Sequence, residues 1–109
     1  MPALNQATLI GYVGTDAELK ETKAGPVAAF RLAVTERRGE EDITTWFNVE
    51  LWGDRAKKLA PHITAGRLVA VVGPIRVDEW EDEDGVRHQR TKILADRFQF
   101  LDRKPEAEE

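Results

Sequence analysis

The chain has 109 residues, 41% hydrophobic and 33% charged, with a formal net charge of −4 and no cysteine. That length allows one domain around one modest core, and the composition is that of a folded globular protein. Disulfide and thiolate chemistry are excluded, and the longest apolar run, Leu68–Val72, falls far short of the roughly 18 residues of a membrane-spanning helix.

Ala7–Val13 alternates weakly and stops at Gly14, which predicts a first strand. Ala24-Gly25-Pro26 reads as a turn into a second strand, Val27–Thr35. Its alternation sets Ala28, Phe30, Leu32 and Val34 on one face and Arg31 and Thr35 on the other. Arg38-Gly39-Glu40-Glu41-Asp42 is polar enough to be a mobile loop. In Thr45–Trp52, the third strand, Phe47, Val49 and Leu51 point one way and Trp46, Asn48, Glu50 and Trp52 the other.

One segment is helical in pattern. Asp54 suits an N-cap, Ala56, Leu59, Ala60 and Ile63 recur at helical spacing, Pro61 shortens the helix and Gly66 stops it. Leu68–Trp80 is the fourth strand, with Val69, Val71, Ile75 and Val77 opposite Ala70, Val72, Arg76 and Trp80. Asp84-Gly85 is a pair favoured in tight hairpins, and the last strand runs from about Val86 to Ala95, with Arg97–Leu101 extended beyond it. These elements make a single domain over residues 1–101, followed by a short acidic tail, 102–109, too polar to pack and expected to be flexible.

An all-β chain of five strands with one short helix between the third and fourth has the order of an oligonucleotide-binding (OB-fold) barrel. Another small barrel satisfies the same pattern.

The face opposite the core carries the chemistry. Trp46, Trp52 and Trp80 all fall on the outward parity, where a strand with one buried face should avoid tryptophan, and Arg31 and Arg76 share that parity. Exposed indole rings stack on unpaired bases at about 1–3 kcal/mol per base, whatever the sequence. Arginines add phosphate contacts and cation–π support. An outward tryptophan also serves as a subunit contact or as a cap over a barrel end, but three on one side favour stacking. The negative charge opposes phosphate binding. Half of the excess lies in Asp102–Glu109, however, and Glu79–Asp84 holds five acids in six positions. No catalytic or metal-binding constellation appears. His62 and His88 lie on different elements without ligand spacing, and Gly11 and Gly14 open no phosphate-cradling helix. No enzyme, cofactor or metal is expected.

Six blocks of the chain, in order, resemble a known family. They are Leu-Asn-Gln-Ala-Thr-Leu-Ile-Gly-Tyr-Val-Gly-Thr-Asp-Ala-Glu-Leu; Val-Ala-Ala-Phe-Arg-Leu-Ala-Val; Thr-Thr-Trp-Phe-Asn-Val-Glu-Leu-Trp-Gly; Leu-Val-Ala-Val-Val-Gly-Pro-Ile-Arg; Trp-Glu-Asp-Glu-Asp-Gly; and Ile-Leu-Ala-Asp-Arg-Phe-Gln-Phe-Leu. Together, over about residues 4–101, they resemble the bacterial and mitochondrial single-stranded DNA-binding (SSB) proteins. The resemblance implies an OB-fold that binds and protects single-stranded DNA in replication, recombination and repair. It implies self-association into a homotetramer, with a dimer as the alternative, and a cytoplasmic, nucleoid-associated location without membrane contact. Trp46 and Trp80 match stacking tryptophans of the family and Trp52 a stacking phenylalanine. Arg76 matches a basic strand residue, and Arg31 lies on the binding-side strand.

The departures are equally specific. A further family tryptophan is replaced here by Arg38 or a neighbour, which makes Arg38 a candidate contact. Asp78-Glu79 stand where a basic pair is common, and Asp54 where lysine is common. Fewer phosphate contacts, weaker binding and a shallower salt dependence are therefore expected. The chain ends Glu-Ala-Glu-Glu without the acidic Pro-Phe tip through which the family recruits repair proteins, so recruitment is not expected. The competing function is an OB-fold protein-interaction module, or a primosome-like paralogue with weak DNA binding, which the acidic substitutions favour. RNA remains an alternative ligand, since stacking does not depend on the sugar.

Overall fold

The longest ladder in the computed structural model, which describes residues 2–102, joins β3 (Gly25–Arg38) to β4 (Glu41–Trp52). Its register runs without a break from Val27↔Trp52 to Arg38↔Glu41. The expected Arg38–Asp42 loop is therefore a tight hairpin, turned at Gly39-Glu40 with Gly39 at φ 66°, a conformation that glycine adopts without steric cost. β1 (Ala7–Val13) pairs antiparallel with β3 and with β5 (Leu68–Gly73). β7 (Arg87–Leu94) pairs parallel with β4 and antiparallel with β6 (Ile75–Glu81), and β8 (Arg97–Phe100) flanks β5. The order β6-β7-β4-β3-β1-β5-β8, with a helix between β4 and β5, is that of an all-β OB-fold.

Among the described residues eight strands replace the five expected. The predicted fourth strand divides at Pro74 into β5 and β6, the terminal extension becomes β8, and β2 (Glu18–Thr22) is additional. β2 is exposed along its whole length and is held on β3 by its ladder from Glu18↔Ala29 to Thr22↔Gly25. Ala24 alone of the expected Ala24-Gly25-Pro26 turn remains in the connection, because Gly25 and Pro26 already pair in β3.

The division at Pro74 links the two sides of the open ladder. β5 lies between β1 and the terminal β8, β6 forms the other end on β7, and one residue joins β5 to β6. Pro74 has no N–H to give to a ladder, but its carbonyl accepts from Leu94 N at 3.0 Å, and Asp96 N reaches Val72 O at 2.9 Å. Asn5 bridges the next peptide by accepting from Ile75 N and donating to Ile75 O, at 2.9 and 2.8 Å. A Cβ at Gly73 would overlap the Leu94 carbonyl, so the crossing requires glycine.

The alternation read from the sequence places the core. Ala28, Phe30, Leu32, Val49, Leu51, Val69 and Val71 are buried, joined by Ile63 and Ile93. Ile75 and Val77 depart from it. They share a face with the buried Ile93 through the ladder, but the β6–β7 hairpin extends past the barrel and leaves both exposed. α1 (Asp54–Leu59) follows Gly53, at φ 88°, which is the N-cap; Asp54 is the first helical residue rather than the cap. It continues as a 3₁₀ turn, Ala60–His62, with Pro61 in its first positions, where a missing N–H costs nothing.

Arg67 anchors the far end of β8. It is only 6% exposed. Its Nε and Nη2 donate to Asp102 at 3.1 and 2.9 Å, its Nη1 donates to His62 O at 3.1 Å, and the guanidinium lies 4.0 Å from the Phe100 ring centroid. Asp102 also accepts from Leu68 N at 3.1 Å. The Arg67 hydrogen bonds, then the Leu68 amide, hold the Asp102 carboxyl below the ordinary carboxylate value. Arg67→Ala is expected to cost about 2–3 kcal/mol, read as a lower urea midpoint at neutral pH. Because the folded value is depressed, the contribution of Asp102 is complete above about pH 4. It fades as pH falls through the lowered value, so the two proteins should converge in stability on acidification.

Candidate nucleic-acid interface

The registers align one residue from each of four strands in a row across the outer face: Arg31 on β3, Asn48 on β4, Lys92 on β7 and Arg76 on β6. Paired residues share a face of a sheet, and so do residues two apart on one strand. Trp46, Glu50 and Trp52 therefore accompany Asn48, while Asp78 and Trp80 accompany Arg76, and Arg90 and His88 accompany Lys92. The alternation inferred for Trp46, Trp52, Trp80, Arg31 and Arg76 places all five on this one surface.

Trp46 and Trp80 are 49% and 48% exposed. Each has one side supported. The Trp46 ring lies against Gly14, where a Cβ would overlap it, and the Arg31 guanidinium sits 4.8 Å from its centroid. Trp80 stacks on His88, directly opposite in the hairpin, with centroids 5.4 Å apart and planes 21° apart. Trp52 is half-buried, and its Nε1 donates to Glu50 Oε1 at 3.0 Å. Two indoles are thus half exposed on this face, and the third is tied to the sheet.

The charges alternate in sign. Lys92 Nζ sits 3.1 Å from Glu50 Oε1 and 3.0 Å from Asp78 Oδ2. Burial disfavours its charge, but the hydrogen bonds to Asp78 and Glu50 outweigh burial, and the ammonium is held above the ordinary lysine value. Lys92 is thereby neutralised by the protein itself. Among the described residues, Arg31, Arg76 and Arg90 form no ion pair. Arg38 stands apart: it lies at the β3–β4 tip opposite Glu41, on the parity of Leu32 rather than of Arg31. Lys92, Arg90 and His88 join the surface through the β6–β7 register. Their signal was parity with Trp80 across the hairpin, legible only once its register is known.

Among the described residues no three His, Cys, Asp or Glu side chains are grouped to hold a metal ion, and no helix is long and apolar enough to cross a membrane. The expected acidic tail lies outside the described residues from position 103 onward.

Residues 4–101 match the model of the single-strand binding protein family. Single-stranded DNA-binding protein 1 of Nostoc sp. is 32% identical over 100 residues, covering 91% of this chain and 84% of the relative. The single-stranded DNA-binding protein of Thermosynechococcus vestitus is 32% identical over 102 residues, covering 93% and 85%. Among solved structures, the Plasmodium falciparum SSB complex with ssDNA superposes with a TM-score of 0.82 at 28% identity, covering 94% of this chain and 98% of that one. With a family match over most of its length, the same OB-fold and relatives above 30% identity, this chain belongs to the single-strand binding protein family.

Proposed function

We propose that this protein binds single-stranded DNA without reading its sequence and without catalysing a reaction on it. The observation that carries the proposal is the pair of half-exposed indoles, Trp46 and Trp80, each braced from one side on a face that also presents Arg31, Arg76 and Arg90. Braced rings offer stacking surface with little ordering left to lose, and every base has a π-face to meet them. Trp52 and Arg38 contribute less: one is tied to Glu50, and the other stands at the hairpin tip. The cellular role that follows is protection of unpaired DNA in replication, recombination and repair, in the cytoplasm and at the nucleoid.

Self-association belongs to the same proposal. Ile10 and Tyr12 are exposed on the outer face of β1, beside Ala70 and Leu68 of β5, an apolar surface suited to another copy in a homotetramer or dimer. The carboxylates of the binding face support the second possibility, a protein-interaction module. Competition separates the two. A labelled oligo-dT should be displaced by unlabelled single strands of mixed sequence and not by duplex of equal length. Failure to bind oligo-dT at low salt, together with recovery of a stable protein complex after nuclease treatment, would favour the module.

Asp78 should set the salt dependence. It neutralises part of Lys92 and faces the ligand with a charge of the same sign as phosphate. Asp78→Asn is expected to tighten oligo-dT binding and to steepen the plot of log K against log salt by about 0.7, one phosphate contact on a single strand. Titrations between about 50 and 200 mM salt measure it, and an unchanged slope would place Lys92 outside the contact set.

A further inference from the structure

His88 occupies an unusual place beside a candidate stacking residue. It is the direct cross-strand partner of Trp80, with its ring nearly parallel to the indole, 21° between planes and 5.4 Å between centroids. On its other side Nε2 lies 2.9 Å from Asp82 Oδ2. Asp82 is fixed in turn: its Oδ1 accepts from Asp84 N and Val86 N at 2.9 and 3.0 Å. A loop carboxylate thus orients an imidazole, and the imidazole supports the indole.

We propose that His88 is a positioning residue for the nucleic-acid ligand, holding Trp80 with one face outward and making the grip on single strands stronger when the imidazole is protonated. The inference rests on the stacking function proposed above and adds a proton to it. A protonated imidazole beneath the indole is a cation–π contact as well as a stack. It also carries positive charge to a tip where Asp78, Glu79 and Glu81–Asp84 gather acids.

The groups around His88 set the sign. β6 contributes Trp80, with Asp78 further along the same face, and the turn contributes Asp82. Arg90 follows His88 on its own face of β7. The β4 ladder meets β7 only at Lys92–Leu94, and no β4 side chain bonds His88. Of these groups Asp82 touches the ring. The His88 hydrogen bond, then the Val86 amide, hold the Asp82 carboxyl below its ordinary value, so it stays anionic through the range in which histidines change charge. Binding should therefore be tighter at the acidic end of that range and weaken as pH rises.

The test is the dissociation constant of a fluorescein-labelled oligo-dT at about pH 5.5 and about pH 8, either side of the histidine range. The wild-type protein should bind about three- to tenfold more tightly at the lower pH. His88→Phe keeps a ring under Trp80 and should lose the pH difference while binding as the wild type does at high pH. His88→Ala should bind more weakly than wild type at both values. His62→Gln, which alters the only other histidine, should keep the wild-type difference. In the free protein, tryptophan emission should titrate with pH in the wild type and lose that transition in His88→Phe. A full wild-type pH difference in His88→Phe, or wild-type affinity at both values in His88→Ala, would overturn the role of His88 and leave stacking on Trp80 intact. No binding by the wild type at either pH would overturn the nucleic-acid function, and this inference with it.

Discussion

Trp46→Ala and Trp80→Ala are each expected to weaken oligo-dT binding by about 1–3 kcal/mol, a factor of roughly 5 to 150 in Kd. The two indoles sit on different strands, β4 and β6, and neither touches the other's support: Gly14 and Arg31 brace one, His88 the other. Independent sites add, so the double variant should lose about the product of the two factors. Stability should hardly change, because both rings are half exposed and outside the core. Trp52→Ala should cost binding less, since its ring is half-buried and its Nε1 engaged by Glu50. Fluorescence anisotropy gives the affinities and a thermal melt controls for folding. If either alanine variant changes the mass of the assembly while sparing affinity, that ring belongs to a subunit contact instead.

Gly73→Ala is expected to strike stability with little selective effect on the binding face. The added Cβ would overlap the Leu94 carbonyl, with Asp96 N also close. These are backbone atoms at the crossing where one strand leaves β1 for β7, and they cannot turn aside as a side chain can. Overpacking of this kind costs about 3 kcal/mol, a fall of roughly 10–15 °C in Tm for a domain of this size. Gly14→Ala is the informative contrast. Its Cβ would meet the far edge of the Trp46 ring, a side chain that can be pushed from its braced position where backbone cannot, so affinity should fall more than Tm. Equal melting losses in the two variants would contradict the distinction between a structural and a binding glycine.

Most of the barrel was legible because its strands alternate over a single buried face. Phe47, Val49 and Leu51 against Trp46, Asn48, Glu50 and Trp52 is a period-2 pattern, and it placed the two candidates Trp46 and Trp52 on one side before any register was known. β2 was illegible for the opposite reason. Glu18–Thr22 buries nothing, so no hydrophobic pattern marks a strand held mainly by its backbone ladder to β3. Ile75 and Val77 were misplaced because parity says which way a side chain points, not whether the barrel extends far enough to cover it.

The pairings within the site needed a register that the turn chemistry alone misjudges. A two-residue turn at Asp84-Gly85 would set Gln89 opposite Trp80. In the structure Glu81 pairs with Arg87, leaving Asp82–Val86 as a wider turn stabilised by the Asp82 side chain, and His88 moves opposite Trp80. Lys92 was hidden more deeply. Its partners Glu50 and Asp78 come from two other strands, one of them parallel to its own, and no local pattern joins residues so far apart in the chain. The expected shortage of phosphate contacts was read from Asp78-Glu79 standing where bases are common; the structure adds that Asp78 also occupies a lysine.

The central claim is that unpaired bases stack on Trp46 and Trp80. It is tested most directly by titrating the intrinsic tryptophan fluorescence of the full chain with oligo-dT at low and at moderate salt. Stacking predicts saturable quenching that persists at the higher salt with a shallow loss of affinity, and that shrinks in Trp46→Ala and Trp80→Ala. Absence of quenching even at low salt would contradict it.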